Sequence, residues 1–188
     1  MSLEEIKERL EKIRLAEADD SDLIPAGVLL LVYAKKGELC VLLNKRTSRV
    51  EHHKGEISFP GGGKDPEDQT LMDTALREAY EEMGIDRNDV EVICQLDRVS
   101  TRSGFAITPF VGTIPSSYPF KSSPIEVAEV IEVPLASLMS PDNRIVDGRI
   151  GVVEDGPNYS YTYGEHIIWG ATARILTQLF GLISPNSG

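Results

Sequence analysis

Apolar positions along the chain change their spacing several times, and each change marks an element. Leu3, Ile6, Leu10 and Ile13 recur at steps of three, four and three, which predicts an amphipathic helix over residues 3–17, packed on the domain or on the partner subunit of a homodimer. Asp19-Asp20-Ser21-Asp22 breaks that helix. From Ile24 to Ala34 the run is almost continuously apolar, as in a strand buried on both faces. Lys36-Gly37 turns it into a second strand, Glu38 to Leu43. Helical spacing returns in Leu71, Ala75, Leu76, Ala79, Tyr80 and Met83. Asp65 or Asp68 is placed to cap the start of this helix, Pro66 suits an early position, and Gly84 stands where a left-handed C-cap is expected.

Two further strands follow, Val90 to Val99 and Phe105 to Ile114, and then a loop, strand and short helix from Ser123 to Leu135. Residues 140–165 are rich in Asp, Gly, Asn and Tyr and read as a long hairpin or loop, with Tyr159, Tyr161 and Tyr163 on one side of a strand. A closing helix runs from Ile168 through Leu179. The chain therefore divides into an N-terminal helix, residues 1–22, and a single α/β domain, residues 23–188.

A net charge of −11 excludes non-specific nucleic-acid binding, which needs a basic surface. No apolar run approaches membrane-spanning length and the N-terminus is charged rather than secretory, so the expected setting is cytoplasmic, with no membrane partner. Cys40 and Cys94 lie in apolar strand-like runs and read as structural thiols.

The candidate chemistry sits on the other side of the 71–83 helix. Glu78, Glu81 and Glu82 are spaced three and four apart, which brings their Cβ atoms within roughly 5–6 Å of one another. Such crowding of like charge gains a structural helix nothing, whereas a hard divalent cation, Mg or Mn, removes the conflict. Arg77 precedes the cluster and is placed to orient one carboxylate by a bidentate contact. A basic loop, Lys45 to Lys54, feeds through Gly55 into Phe59-Pro60-Gly61-Gly62-Gly63, so Arg46, Arg49 and Lys54 are candidates to hold substrate phosphates. His52 and His53 lack a third His or Cys and read as polar loop residues.

Together these residues resemble the Nudix box, GX5EX7REUXEEXGU with U aliphatic. Gly63, Arg77, Glu78, Glu81, Glu82, Gly84 and Ile85 match, Ala79 takes the first aliphatic place, and Gln69 replaces the first glutamate. The resemblance implies the Nudix fold, a mixed β-sheet sandwiched between α-helices. It also implies metal-dependent hydrolysis of a diphosphate bond in a nucleoside-diphosphate-linked small molecule. Leu42-Leu43-Asn44-Lys45-Arg46-Thr47, Gly55 and Phe59 to Gly62 are further similar to the signature of coenzyme A diphosphatases, in which Glu51 takes the place of a second arginine. On that likeness Glu78, Glu82 and Glu81 hold the metal, and Glu81 or Glu126, from the late loop, accepts a proton. Arg77 assists the cluster, and Arg46, Arg49, Lys54, Gly62 and Gly63 bind substrate. The products would be 3′,5′-ADP and 4′-phosphopantetheine. ADP-ribose and dinucleoside polyphosphates are the alternative substrates, and a catalytically weak nucleotide-binding regulator is the alternative role.

Overall fold

The computed structural model describes residues 1–13, 22–47, 55–146 and 159–184. It is built on one long strand, β1 (Ile24–Lys35), whose neighbours come from all parts of the chain. β1 pairs antiparallel with β2 (Glu38–Arg46) and β4 (Gly61–Gly63) and parallel with β7 (Phe105–Thr113). β2 also carries β3 (Ile57–Ser58) and β8 (Val127–Pro134), and β7 carries β5 (Glu91–Gln95) and β6 (Val99–Ser100). The result is a mixed eight-stranded sheet.

The unbroken apolar run of β1 follows from burial on both faces. Successive side chains alternate across a strand. Val28, Leu30 and Val32 face one cluster with Ile6 and Leu10 of α1 (Leu3–Leu10) and Ala173, Leu176 and Leu179 of α4 (Gly170–Ile183). Leu29, Leu31 and Tyr33 face a second cluster with Ala75, Leu76, Ala79 and Met83 of α2 (Leu71–Met83). The sheet is thus sandwiched between helices. Arg9 of α1 donates to the Ile183 and Ser184 carbonyls at 2.7 and 2.8 Å, where the free carbonyls and negative end of α4 favour a cation.

Three expectations are corrected. α1 ends at Leu10 rather than at residue 17; Ile13 still packs on the same cluster from a turn, so helical spacing outlasts the helix. Tyr80 is 62% exposed, because it lies about 100° around the helix from buried Ala79. The single strand predicted from Val90 to Val99 is two, β5 and β6. The break falls opposite Pro109 of β7, between the pairs Gln95↔Phe110 and Val99↔Ile107, because proline has no N–H to extend a ladder. Within the stretch read as a long hairpin or loop, after α3 (Leu135–Met139), β9 (Arg144–Val146), β10 (Tyr159–Tyr163) and β11 (His166–Ile168) form a small antiparallel sheet. Tyr161 is buried in it, with Tyr159 and Tyr163 packed beside the same core. Cys40 is buried and Cys94 half-buried, both as free thiols, and burial pushes Cys94 up to about 11. No helix of the described residues is long and apolar enough to cross a membrane.

Candidate active site

Three glycines let α2 approach the sheet and present its acids. A side chain at Gly27 of β1 would overlap the Leu71 carbonyl at the first turn of α2. Gly84 closes the helix in the left-handed region, φ 67°, and returns its N–H to Tyr80 at 2.8 Å. A Cβ on Gly62 would stand 2.5 Å from a Glu78 carboxylate oxygen, so this glycine leaves the space that Glu78 occupies. The helix start differs from the expectation. Thr70, not Asp65 or Asp68, is the N-cap, in a reciprocal capping box with Asp73. Asp68 is released for another task.

Glu82 is buried at 1% exposure, its oxygens engaged by Asn44 Nδ2 (2.8 Å), the Gly61 N–H (3.3 Å) and Arg46 Nη1 (3.2 Å). Ser58 completes the network by donating to Asn44 Oδ1 at 3.0 Å. Burial pushes the Glu82 carboxyl up to about 7; Arg46 counteracts this and nearby Glu78 adds to it. Burial likewise raises Glu78, against the pull of Arg77 and with repulsion from Glu81 and Glu126. Glu81 is about half exposed and held by Arg77 Nη1 at 3.0 Å. The bidentate contact expected between Arg77 and a glutamate of the cluster is made instead to Asp68, with Nε and Nη2 each 3.1 Å from its oxygens.

Of the predicted substrate-binding residues, Arg46 leans on Glu82 at the end of β2, and Gly62 and Gly63 lie in β4 beneath α2. Arg49 and Lys54, with Glu51, His52 and His53, lie outside the described residues. Glu126 stands close enough to Glu78 to repel it, on a segment stitched to β2 by the Thr47 N–H on its carbonyl at 2.9 Å. Glu129 pairs with His166 at 3.3 Å. Sequence reasoning missed Asn44, Ser58 and Asp68. Asn44 alone carries a signal, as a lone amide at the buried end of an apolar strand.

Among the described residues no three acids form a ready-made metal cage; Arg46 pairs with Glu82, and Arg77 with Glu78 and Glu81. The donor set nonetheless fits a hard divalent cation. Its side-chain acids are all oxygen donors, and Asp68, Glu78, Glu81, Glu82 and Glu126 outnumber the two guanidiniums by three negative charges. A testable consequence follows from Glu82. Its folded value near 7 against an ordinary 4.5 means that the stabilisation it contributes is complete below pH 4.5 and lost as pH rises to 7. Asp68, held at about 2 by Arg77, acts with the opposite sign and in a lower window. The melting temperature of metal-free protein should therefore fall between pH 5 and 8, and saturating Mg should raise it more at pH 8 than at pH 5. Equal Mg shifts at both values would remove Glu82 from the metal site.

Residues 23–144 match the model of the NUDIX domain. A protein of Photorhabdus laumondii named Nudix hydrolase NudL is 38% identical over 157 residues, spanning 82% of each chain. Its namesake from Yersinia pestis is 36% identical over 162 residues, spanning 85% of this chain and 79% of that one. In fold the chain is similar to the M. smegmatis Nudix hydrolase RenU (TM-score 0.52, 23% identity, 61% of this chain and 73% of that one). It is also similar to a MutT/nudix family protein from Enterococcus faecalis (TM-score 0.56, 18% identity, 96% and 69%).

Proposed function

From the premise that this chain belongs to the Nudix hydrolase family, acting on nucleoside-diphosphate-linked substrates, we propose that it cleaves the diphosphate bond of coenzyme A or a close derivative, in the cytoplasm. The observation that carries this reading is the use made of the residues similar to the coenzyme A diphosphatase signature. Asn44 and Arg46 from its first half and Gly61 from its second converge on Glu82, so the signature and the acid helix form one site. Glu51, in place of an arginine, favours ADP-ribose or a dinucleoside polyphosphate as the second reading.

Glu78, Glu81 and Glu82 hold Mg or Mn, which when bound neutralises charge on the diphosphate and acidifies water. The side chains do the rest by position. Arg77 Nη1 bridges Glu78 and Glu81, donating to each at 3.0 Å. Arg46 opposes the burial that favours neutral Glu82 and turns its remaining N–H groups to a substrate phosphate. Glu81 adds a ligand or takes the proton of the attacking water, with Glu126 the rival base.

Incubation with coenzyme A, ADP-ribose and diadenosine polyphosphates, each with Mg or Mn, tests the reading: coenzyme A should yield 3′,5′-ADP and 4′-phosphopantetheine. Preferred cleavage of ADP-ribose or a diadenosine polyphosphate would transfer the assignment to that substrate. Binding of all without turnover would make the protein a regulator. With Glu126 as the base, Glu126→Gln should lower kcat by roughly 10²-fold or more, the scale of a positioned proton transfer, and Glu129→Gln should change it little. The reverse ranking in steady-state assays would exclude Glu126 as the base.

A further inference from the structure

Arg77 engages every donor it has. A guanidinium carries five N–H groups in a rigid plane. Nε donates to Asp68 Oδ1 and Nη2 to Asp68 Oδ2, both at 3.1 Å; Nη2 also reaches the Gly63 carbonyl at 3.3 Å. Nη1 donates to Glu78 and to Glu81, each at 3.0 Å. One edge of the plane is thus gripped by Asp68 while the opposite corner separates two carboxylates.

Asp68 is built for that grip. It is buried, at 8% exposure. Its Oδ2 also accepts from Thr74 Oγ1 at 2.9 Å and from the Asp65 N–H at 3.0 Å. Since Thr70 caps α2, Asp68 has no duty at the helix terminus. Asp65, the other acid near the guanidinium, is exposed and stands 3.6 Å away. Gln69, at the place where the motif carries its first glutamate, is exposed, and its backbone carbonyl accepts from Lys64 at 3.5 Å.

We propose that Asp68 is the positioning residue of the acid cluster: its bidentate hold on Arg77 fixes the guanidinium plane from which Nη1 sets Glu78 and Glu81. It supplies, one residue early, the acid that the motif places at Gln69. Without the fork, three of the five donors remain, the plane is free to rotate about its last torsion, and Glu78 and Glu81 repel each other out of register. The inference rests on residues 78–82 being the catalytic acids of the hydrolase.

Asp68→Asn keeps the shape and replaces one accepting oxygen by an N–H₂ that faces Arg77. Loss of a partner that orients a ligand side chain costs roughly 10- to 100-fold. kcat on the preferred substrate should fall by that factor with KM little changed, and Gln69→Ala should leave both as they are. Arg77→Lys should lower kcat too, and the double variant Asp68→Asn/Arg77→Lys should lose no more than Arg77→Lys alone, because the two act as one unit. A second arm needs no substrate: in the NMR spectrum of metal-free protein the Arg77 Nε–H signal should be protected from exchange in wild type and Gln69→Ala, and exposed in Asp68→Asn. Wild-type kcat in folded Asp68→Asn, additive losses in the double variant, or an unchanged Arg77 signal would each overturn the proposal. Should Asp68→Asn fail to fold, Thr74→Val, which removes one donor to Asp68, replaces it; a smaller fall in kcat and faster Nε–H exchange support the proposal, and no change in either overturns it. A wild type that cleaves nothing in the panel refutes the substrate reading while the NMR arm still decides Asp68.

Discussion

Glu82→Gln is expected to abolish turnover while leaving the fold in place. The amide keeps the volume of the carboxylate but cannot carry the charge that a cation needs, and a metal supplies several kcal/mol of transition-state stabilisation. That corresponds to a fall of on the order of 10³-fold in kcat. Stability should respond differently. In the metal-free protein burial already favours the neutral form of Glu82, so a neutral substitute removes a cost. Against this, its N–H₂ meets a pocket of donors from Asn44, Arg46 and Gly61. The two effects oppose, and metal-free Glu82→Gln should melt close to wild type at pH 8 while losing the Mg-dependent rise. Near-normal kcat at saturating Mg, or chelator-resistant hydrolysis by wild type, would sink the metal assignment.

The second large effect is expected at a residue with no side chain, Gly27. An alanine Cβ there would overlap the Leu71 carbonyl and lie 3.2 Å from the Ala75 nitrogen. Both are helix backbone, so no rotamer change relieves the clash, and α2 must back away from β1. Overpacking of this kind costs typically 1–3 kcal/mol and more when the backbone cannot yield; about 3 kcal/mol or above is expected for Gly27→Ala. Because Glu82 is tied at once to β2 and to the β4 turn, the same shift should carry it off Asn44 and Gly61 and lower kcat. Gly181, in α4, has open space where a Cβ would stand, with nothing within 4 Å. There Gly→Ala should stabilise by about 0.5–1 kcal/mol. Urea midpoints for the two variants measure the contrast, and similar values would show that α2 does not depend on the close approach.

Local physics is legible in a sequence where one residue type serves one purpose. β1 could be read as buried on both faces because continuous apolarity has few other uses, and Gly84 could be read as a C-cap because the left-handed region excludes most alternatives. The N-cap of α2 was ambiguous for the opposite reason. Asp65, Asp68 and Thr70 can all accept from a free N–H, and the choice turns on Arg77 claiming Asp68 from nine residues away. Glu78, Glu81 and Glu82 were visible as a cluster through their spacing. Their environment was not, since Asn44 reaches Glu82 across 38 residues of chain and nothing in its neighbourhood announces that partner. The division of β5 from β6 was hidden similarly, because Pro109 acts on a strand other than its own.

The latch of Arg9 onto the carbonyls that end α4 places the first and last helices side by side, on the face of the sheet away from α2. This orients the molecule for anyone who tethers it. A support or reporter joined through α1 or α4 would take hold of the back of the sandwich, and the acid-bearing helix would look outward to whatever diffuses past.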